Sequence, residues 1–107
     1  MDKVKVNNRL VGYVEGTDFI KHVTPKNMFY KYQSWTITKS TVLDLLNQGV
    51  DRIILEYKNG DIQYKMWLPI KEFLLIGVEY VKEDEKRIRV HKSKWYVEDQ
   101  HQTVLGE

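Results

Sequence analysis

Cysteine is missing altogether from the 107 residues, and that absence excludes disulfide frameworks, Cys-ligated zinc, iron–sulfur clusters and thiol nucleophiles together. It fits a cytoplasmic protein. Proline is nearly as scarce, at two residues, and the six glycines are scattered at Gly12, Gly16, Gly49, Gly60, Gly77 and Gly106. No stretch therefore has the spacing of a phosphate-cradling loop. Long apolar runs are lacking as well. FLLIGV, Phe73 to Val78, falls far short of a membrane span, and MDKVKVNNRLV has neither the apolar run nor the small-residue cleavage site of a signal peptide. No repeat, low-complexity tract or Gly/Pro/Ser-rich linker divides the chain, so residues 1–107 read as one domain.

Catalytic and metal-binding patterns are equally thin. His22, His91 and His101 form no His-x-x-x-His pair. The one Glu-x-x-His spacing, Glu98 to His101, sits in the polar stretch EDQHQTVLGE, where residues 98–107 read as a frayed tail. The only serines are Ser34, Ser40 and Ser93, and none stands in a Gly-x-Ser-x-Gly elbow. Glu56-Tyr57-Lys58 resembles the Glu-x-Lys half of the restriction-type nuclease motif, whose chemistry needs paired carboxylates on Mg²⁺ and a Lys beside the attacking water. Neither Asp51, five residues earlier on the same strand, nor Asp44, within a helix, supplies the second carboxylate. Strand alternation already explains Glu56 and Lys58 as wet-side residues beside a hairpin turn. The sequence predicts no metal site, no small-molecule cofactor and no enzyme, with a metal-dependent nuclease as a weak third reading.

What is present is enough for a core: 42% apolar residues and 12% aromatics, among them seven Tyr, three Trp and three Phe, with a net charge of +2. STVLDLLNQG predicts a helix of about nine residues capped by Thr38 or Ser40, with Val42, Leu43, Leu45 and Leu46 as its apolar stripe and Gly49 at the left-handed C′ position. RIILEY and DIQYKMW flank Asn59-Gly60 as a hairpin in which Ile62, Tyr64 and Met66 share one face. Pro69 opens a second helix that Gly77 closes. VEYV, a charged turn from Lys82 to Lys86, and RIRV give a further hairpin, and a weaker one turns about Asn7-Asn8 with Val4 and Val6 answering Leu10 or Val11. TPKNMFYKYQSWTI reads as a short helical turn entering an extended piece. The expected class is α+β: a mainly antiparallel sheet of about 4–6 short strands with two or three short helices on one face.

The most functional-looking feature is RIRVHKSKWY. With Ile88 and Val90 facing the core, Arg87, Arg89 and His91 line the opposite face at period two, and Lys92, Lys94, Trp95 and Tyr96 add charge and flat rings. A second basic-aromatic stretch holds Lys31, Tyr32 and Trp35. Glu83, Asp84 and Glu85 adjoin the basic row and are placed to cancel part of it. The expected function is that of a small non-enzymatic binding or regulatory protein that meets a protein partner, or its own copy along an uncovered edge strand, through this surface. Nucleic-acid binding by Arg87 to Tyr96 is the alternative.

Overall fold

The computed structural model describes residues 2–6, 9–59 and 62–99. Their order is β1 (Asp2–Val6), β2 (Arg9–Glu15), β3 (Asp18–His22), a π-helical turn (Asn27–Lys31), β4 (Ser34–Thr38), α1 (Lys39–Asn47), β5 (Arg52–Asn59), β6 (Ile62–Pro69), α2 (Ile70–Ile76), β7 (Val78–Lys82), β8 (Glu85–His91), a 3-10 turn (Lys92–Lys94) and β9 (Tyr96–Asp99). The class is α+β, but the strands make two sheets rather than one. Six run in the order β1-β2-β3-β5-β6-β9 and three in the order β4-β8-β7. The larger sheet is mixed, because β3 and β5 lie parallel from Asp18↔Arg52 to His22↔Glu56. A parallel pair needs a crossover of a dozen residues or more. Residues 23–51 supply it and place β4 and α1 in the second layer on the way.

The core forms where the inner faces of the two sheets meet the helices. Phe19, Ile53, Leu55, Met66 and Leu68 come from the large sheet, Trp35, Ile88 and Val90 from the small one, Val42 and Leu45 from α1, and Ile70 and Phe73 from α2, all buried in one cluster. On β6, Met66 is buried and Tyr64 packs against the same cluster, as the predicted alternation requires. β5 is buried on both sides: Ile54 and Glu56, on the face opposite Ile53 and Leu55, are also buried. Among the described residues no helix is long and apolar enough to cross a membrane.

Local signals in α1 hold in detail. Thr38 is its N-cap, although its hydroxyl bonds Thr41 Oγ1 at 2.6 Å instead of a backbone N–H; Ser40 lies inside the helix. At the other end Gly49 takes φ +88°, its N–H reaches the Leu46 carbonyl and the Val50 N–H reaches the Leu45 carbonyl, which is the Schellman pattern. Leu43 departs from the expected stripe and is exposed. For α2 two positions shift. Pro69 ends β6 and is the N-cap rather than the first helical residue, and Gly77 is extended at φ −67°, so it does not serve as a left-handed cap. Glycine is needed at 77 for a different reason: a Cβ there would run into Ile88 Cγ2 and the Phe73 carbonyl oxygen.

The hairpins also differ in detail. Val4 pairs with Gly12 and Lys5 with Leu10, so the β1–β2 ladder bulges and leaves Val11 as the extra residue. Asn7-Asn8 and Gly60 lie outside the described residues, between the closing pairs Val6↔Arg9 and Asn59↔Ile62. The β7–β8 turn is tighter than residues 82–86, since Lys82 pairs with Glu85. Glu83 and Asp84 are left to take φ 56° and 63°, the left-handed pair of a two-residue hairpin. β9 reaches into the stretch read as a tail, pairing Glu98 with Lys65 and Asp99 with Tyr64, while residues 100–107 lie outside the described set.

Two stability changes follow. Gly77→Ala is expected to lower unfolding free energy by about 1–3 kcal/mol through overpacking. Asp84→Gly is expected to raise it by about 0.5–1 kcal/mol, because glycine takes a left-handed conformation without the Cβ penalty. Denaturant titration of both variants checks the two signs.

Candidate functional site

The alternation of β8 puts Ile88 and Val90 in the core and turns Arg87, Arg89 and His91 to the other face, as the sequence predicts. β8 is the middle strand of its sheet, not an edge: Arg89 is flanked by Thr36 of β4 and Val78 of β7, and His91 lies opposite Ser34. The β4–β8 pairing brings the two basic-aromatic stretches side by side. Lys92 ties them further, its backbone N–H bonding the Gln33 carbonyl at 2.8 Å and its Nζ the Phe29 carbonyl at 3.3 Å.

The ten predicted surface residues then sort into groups. Trp35 and Trp95 are core residues, 6% and 5% exposed. Trp95 packs edge-on against Phe73 at 6.1 Å and points its Nε1–H at the Val90 carbonyl. Arg87 is neutralised locally, with Nη2 3.2 Å from Glu85 and 3.7 Å from Glu83. Tyr96 belongs to the large sheet, where its ring lies 4.7 Å from Trp67 and its hydroxyl reaches Glu72. His91 Nδ1 lies 3.1 Å from the Ser93 N–H and 2.8 Å from the Ser93 hydroxyl, which turns the ring onto the following turn. Lys31, Tyr32, Arg89, Lys92 and Lys94 are left. Among the described residues no carboxylate lies within ion-pair reach of Lys31, Arg89, Lys92 or Lys94. Lys31 Nζ sits 5.2 Å from the Tyr32 ring centre and the Arg89 guanidinium 5.1 Å from that of Tyr80. Tyr30, beside Lys31, is 80% exposed.

Next to this face a cleft runs between β4 and the β2–β3 part of the large sheet. It has two lobes of about 490 and 450 Å³ that share Lys21 and Thr36. Because Ser34 through Thr38 all line one lobe or the other, the cleft follows the edge of β4 rather than one face of it. Trp35 Nε1 and Arg87 Nε are buried donors without a partner, and both residues border the cleft.

Sequence reasoning missed a second constellation. Glu56, read as a wet-side residue, is only 5% exposed. Its carboxylate accepts from Gln63 Nε2 and lies 3.9 Å from Lys65 Nζ and 3.6 Å from His22 Nδ1. His22 Nε2 is 2.8 Å from the Tyr13 hydroxyl. Burial first, then the carboxylates of Glu56 and Glu15, hold the Tyr13 hydroxyl above its ordinary pKa. The direction of the Tyr13–His22 hydrogen bond follows the imidazole tautomer, and His22 Nδ1 faces Glu56. The neighbours of Glu56 are basic and amide groups, not the second carboxylate that a two-metal site needs, and Lys58 is exposed. No local pattern announces this cluster, because His22 and Glu56 meet only through the parallel β3–β5 register.

No protein family matches the chain, and comparison with curated proteins and with solved structures finds no significant match.

The two tryptophans and the exposed cations should respond differently to truncation. Trp95→Ala is expected to lower stability by about 3–5 kcal/mol, whereas Arg89→Ala and Lys94→Ala should each stay within about 0.5 kcal/mol of the parent. Thermal and denaturant unfolding, followed by Trp fluorescence and circular dichroism, measures both.

Proposed function

We propose that this protein is a non-enzymatic binding module whose basic-aromatic face takes a polyanion, with single-stranded nucleic acid as the ligand that its chemistry suits best. The observation that supports the reading is the company the cations keep. Lys31, Arg89, Lys92 and Lys94 stand without carboxylate partners among the described residues, and Lys31 is flanked in the chain by the exposed rings of Tyr30 and Tyr32. Solvated surface cations ordinarily lie among acids. Here three of the four acids of the same hairpin are drawn off, Glu83 and Glu85 by Arg87 and Glu79 by Lys39. Exposed rings favour a single strand, because stacking on Tyr requires bases that are not already stacked in a duplex.

Protein docking through the same face lost its best anchors when Trp35 and Trp95 went into the core, since buried aromatic anchors carry most interface energy. Exposed apolar residues stand on β2, α1, α2, β7 and β9, and of these Val78 lies beside Arg89.

Four phosphate contacts on a single strand correspond to a slope of log K on log salt of about −3. Fluorescence anisotropy of a labelled single-stranded oligonucleotide, titrated across a salt series, is expected to show that slope. Replacing Arg89 and Lys94 together by Ala should weaken binding and flatten the slope by about 1.4. Tyr30→Ala should weaken it about 5- to 150-fold with the slope kept, as loss of one stacked base does. Absence of binding at low salt, or binding indifferent to salt, would overturn the reading.

A further inference from the structure

The four outer strands of the two sheets are not equivalent. β1 carries Lys3 and Lys5 and is broken by the bulge at Val4/Lys5, both of which discourage pairing with another chain. β9 is short and ends in Glu98-Asp99. β4 runs along the cleft beside β2 and β3. β7 carries Glu79 and Lys82 but is otherwise open. VEYVK is a regular five-residue strand, with no proline and no bulge against β8. Its valines are open on both faces, Val78 at 54% and Val81 at 65%, and Leu75 and Ile76 of the preceding helix are exposed beside them. An exposed, regular, apolar edge is a template for another strand.

We propose that this edge pairs with β7 of a second copy of the chain, antiparallel about a twofold axis through Tyr80, so that the two three-stranded sheets become one of six strands. The strand's own charges select both the occupant and the register. Antiparallel pairing about a twofold requires one residue to face its own copy. Centring on Glu79 sets two carboxylates opposite each other. Centring on Val81 brings Glu79 against Glu83 and pairs only three strand residues. Centring on Tyr80 pairs all five: Tyr80 with Tyr80, Val78 with Lys82 and Glu79 with Val81, with no like charges opposed. Glu79 keeps its ion pair with Lys39, at 2.7 Å on its own copy.

This pairing stands independently of the anion-binding reading, yet it would act on the same surface. A twofold perpendicular to the sheet leaves the outward faces of both copies on one side. The two β8 strands would lie three strand spacings apart, about 14 Å, and Arg89 and His91 of both copies would share a single face. Dimerisation would double the unpaired cations offered to one ligand.

The chain's lack of cysteine makes the test direct. Tyr80→Cys, oxidised under mild conditions, is expected to give a covalent dimer, because residues paired across the axis have Cα atoms about 4.5–5.5 Å apart, within disulfide reach. Lys82→Cys should not, since its copies would stand about 14 Å apart along the strands. Sedimentation velocity reports the noncovalent state. The unmodified chain is expected to dimerise at micromolar concentration. Val78→Lys should weaken association about tenfold or more by facing Lys82, whereas Val78→Glu at the same position should preserve or strengthen it. A monomer throughout the concentration range, equal cross-linking of the two cysteine variants, or equal loss of association in Val78→Lys and Val78→Glu would each overturn the proposal. The oligonucleotide titration gives a separate readout: a chain that stays monomeric but binds with steep salt dependence sinks the dimer and leaves the anion site standing.

Discussion

Burial of β5 on both faces is the constraint from which most of the molecule follows. The strand sits between β3 and β6 in the middle of the large sheet, and residues of both its faces are buried. On one side Ile53 and Leu55 meet the helices and the small sheet. On the other, Ile54 is closed over by its sheet neighbours without any helix, and Glu56 is carried under with it. A buried carboxylate is tolerable only with partners. The parallel register supplies His22 from β3, and the antiparallel register supplies Lys65 opposite and Gln63 diagonally on β6. The Tyr13–His22–Glu56–Lys65 chain is thus first of all a consequence of placing a central strand. Tyr13, its pKa raised first by burial and then by Glu56 and Glu15, carries that chain onto β2.

The small sheet divides its labour differently. β4 and β8 bury Trp35, Ile37, Ile88 and Val90 in directly paired positions, Trp35↔Val90 and Ile37↔Ile88. That pairing leaves the alternate residues of both strands on the outward face. β4 contributes only Ser34, Thr36 and Thr38 there, so the cations of β8 meet hydroxyls instead of acids. The acids of the β7–β8 turn can reach Arg87 but not the residues farther along the strand. Charge along β8 is graded by distance from the turn: neutralised at Arg87 and unpaired at Arg89. It stays so through the lysines that follow.

Much of this was legible in the sequence where the signal is local. α1 and its glycine cap, the hairpin of β5 and β6, the inward alternation of β8 and the helical turn before β4 each rest on residues within about ten positions of one another. Non-local facts were not legible. The parallel β3–β5 pair, the separation into two sheets and the company of Glu56 depend on residues 23–51 crossing to another layer, and nothing in the spacing of β3 announces β5 as its neighbour. The tryptophans illustrate the limit at a single residue. Trp35 and Trp95 sit in basic, Tyr-rich stretches that read as surface, yet alternation in β4 and the edge contact with Phe73 carry both into the core. Gly77 is the opposite case, a correctly placed helix end with the wrong physical cause: close packing against Ile88, not a left-handed turn.

The least satisfied part of the structure is the seam between its two sheets. Trp35 Nε1 and Arg87 Nε, the buried side-chain donors without partners among the described residues, both border the cleft that follows β4. An unmade hydrogen bond at a buried donor costs about 1–3 kcal/mol. Elsewhere the sheets are joined through α1 and α2, whose apolar faces fill the core without polar loss. The fold therefore holds its layers together on the helix side and tolerates unsatisfied donors along the open edge of β4. The cleft is lined by Lys21, Arg87, Asn27 and the hydroxyls of β4, with Glu85 as its only acid among the described residues. It shares that character with the cationic face beside it. Five acids, Asp18, Glu56, Glu79, Glu83 and Glu85, are held in ion pairs away from both regions or at the Arg87 end of β8. The distribution of carboxylates, more than the modest net charge, is what leaves the cations of β8 and its following turn beyond Arg87 without acidic partners among the described residues.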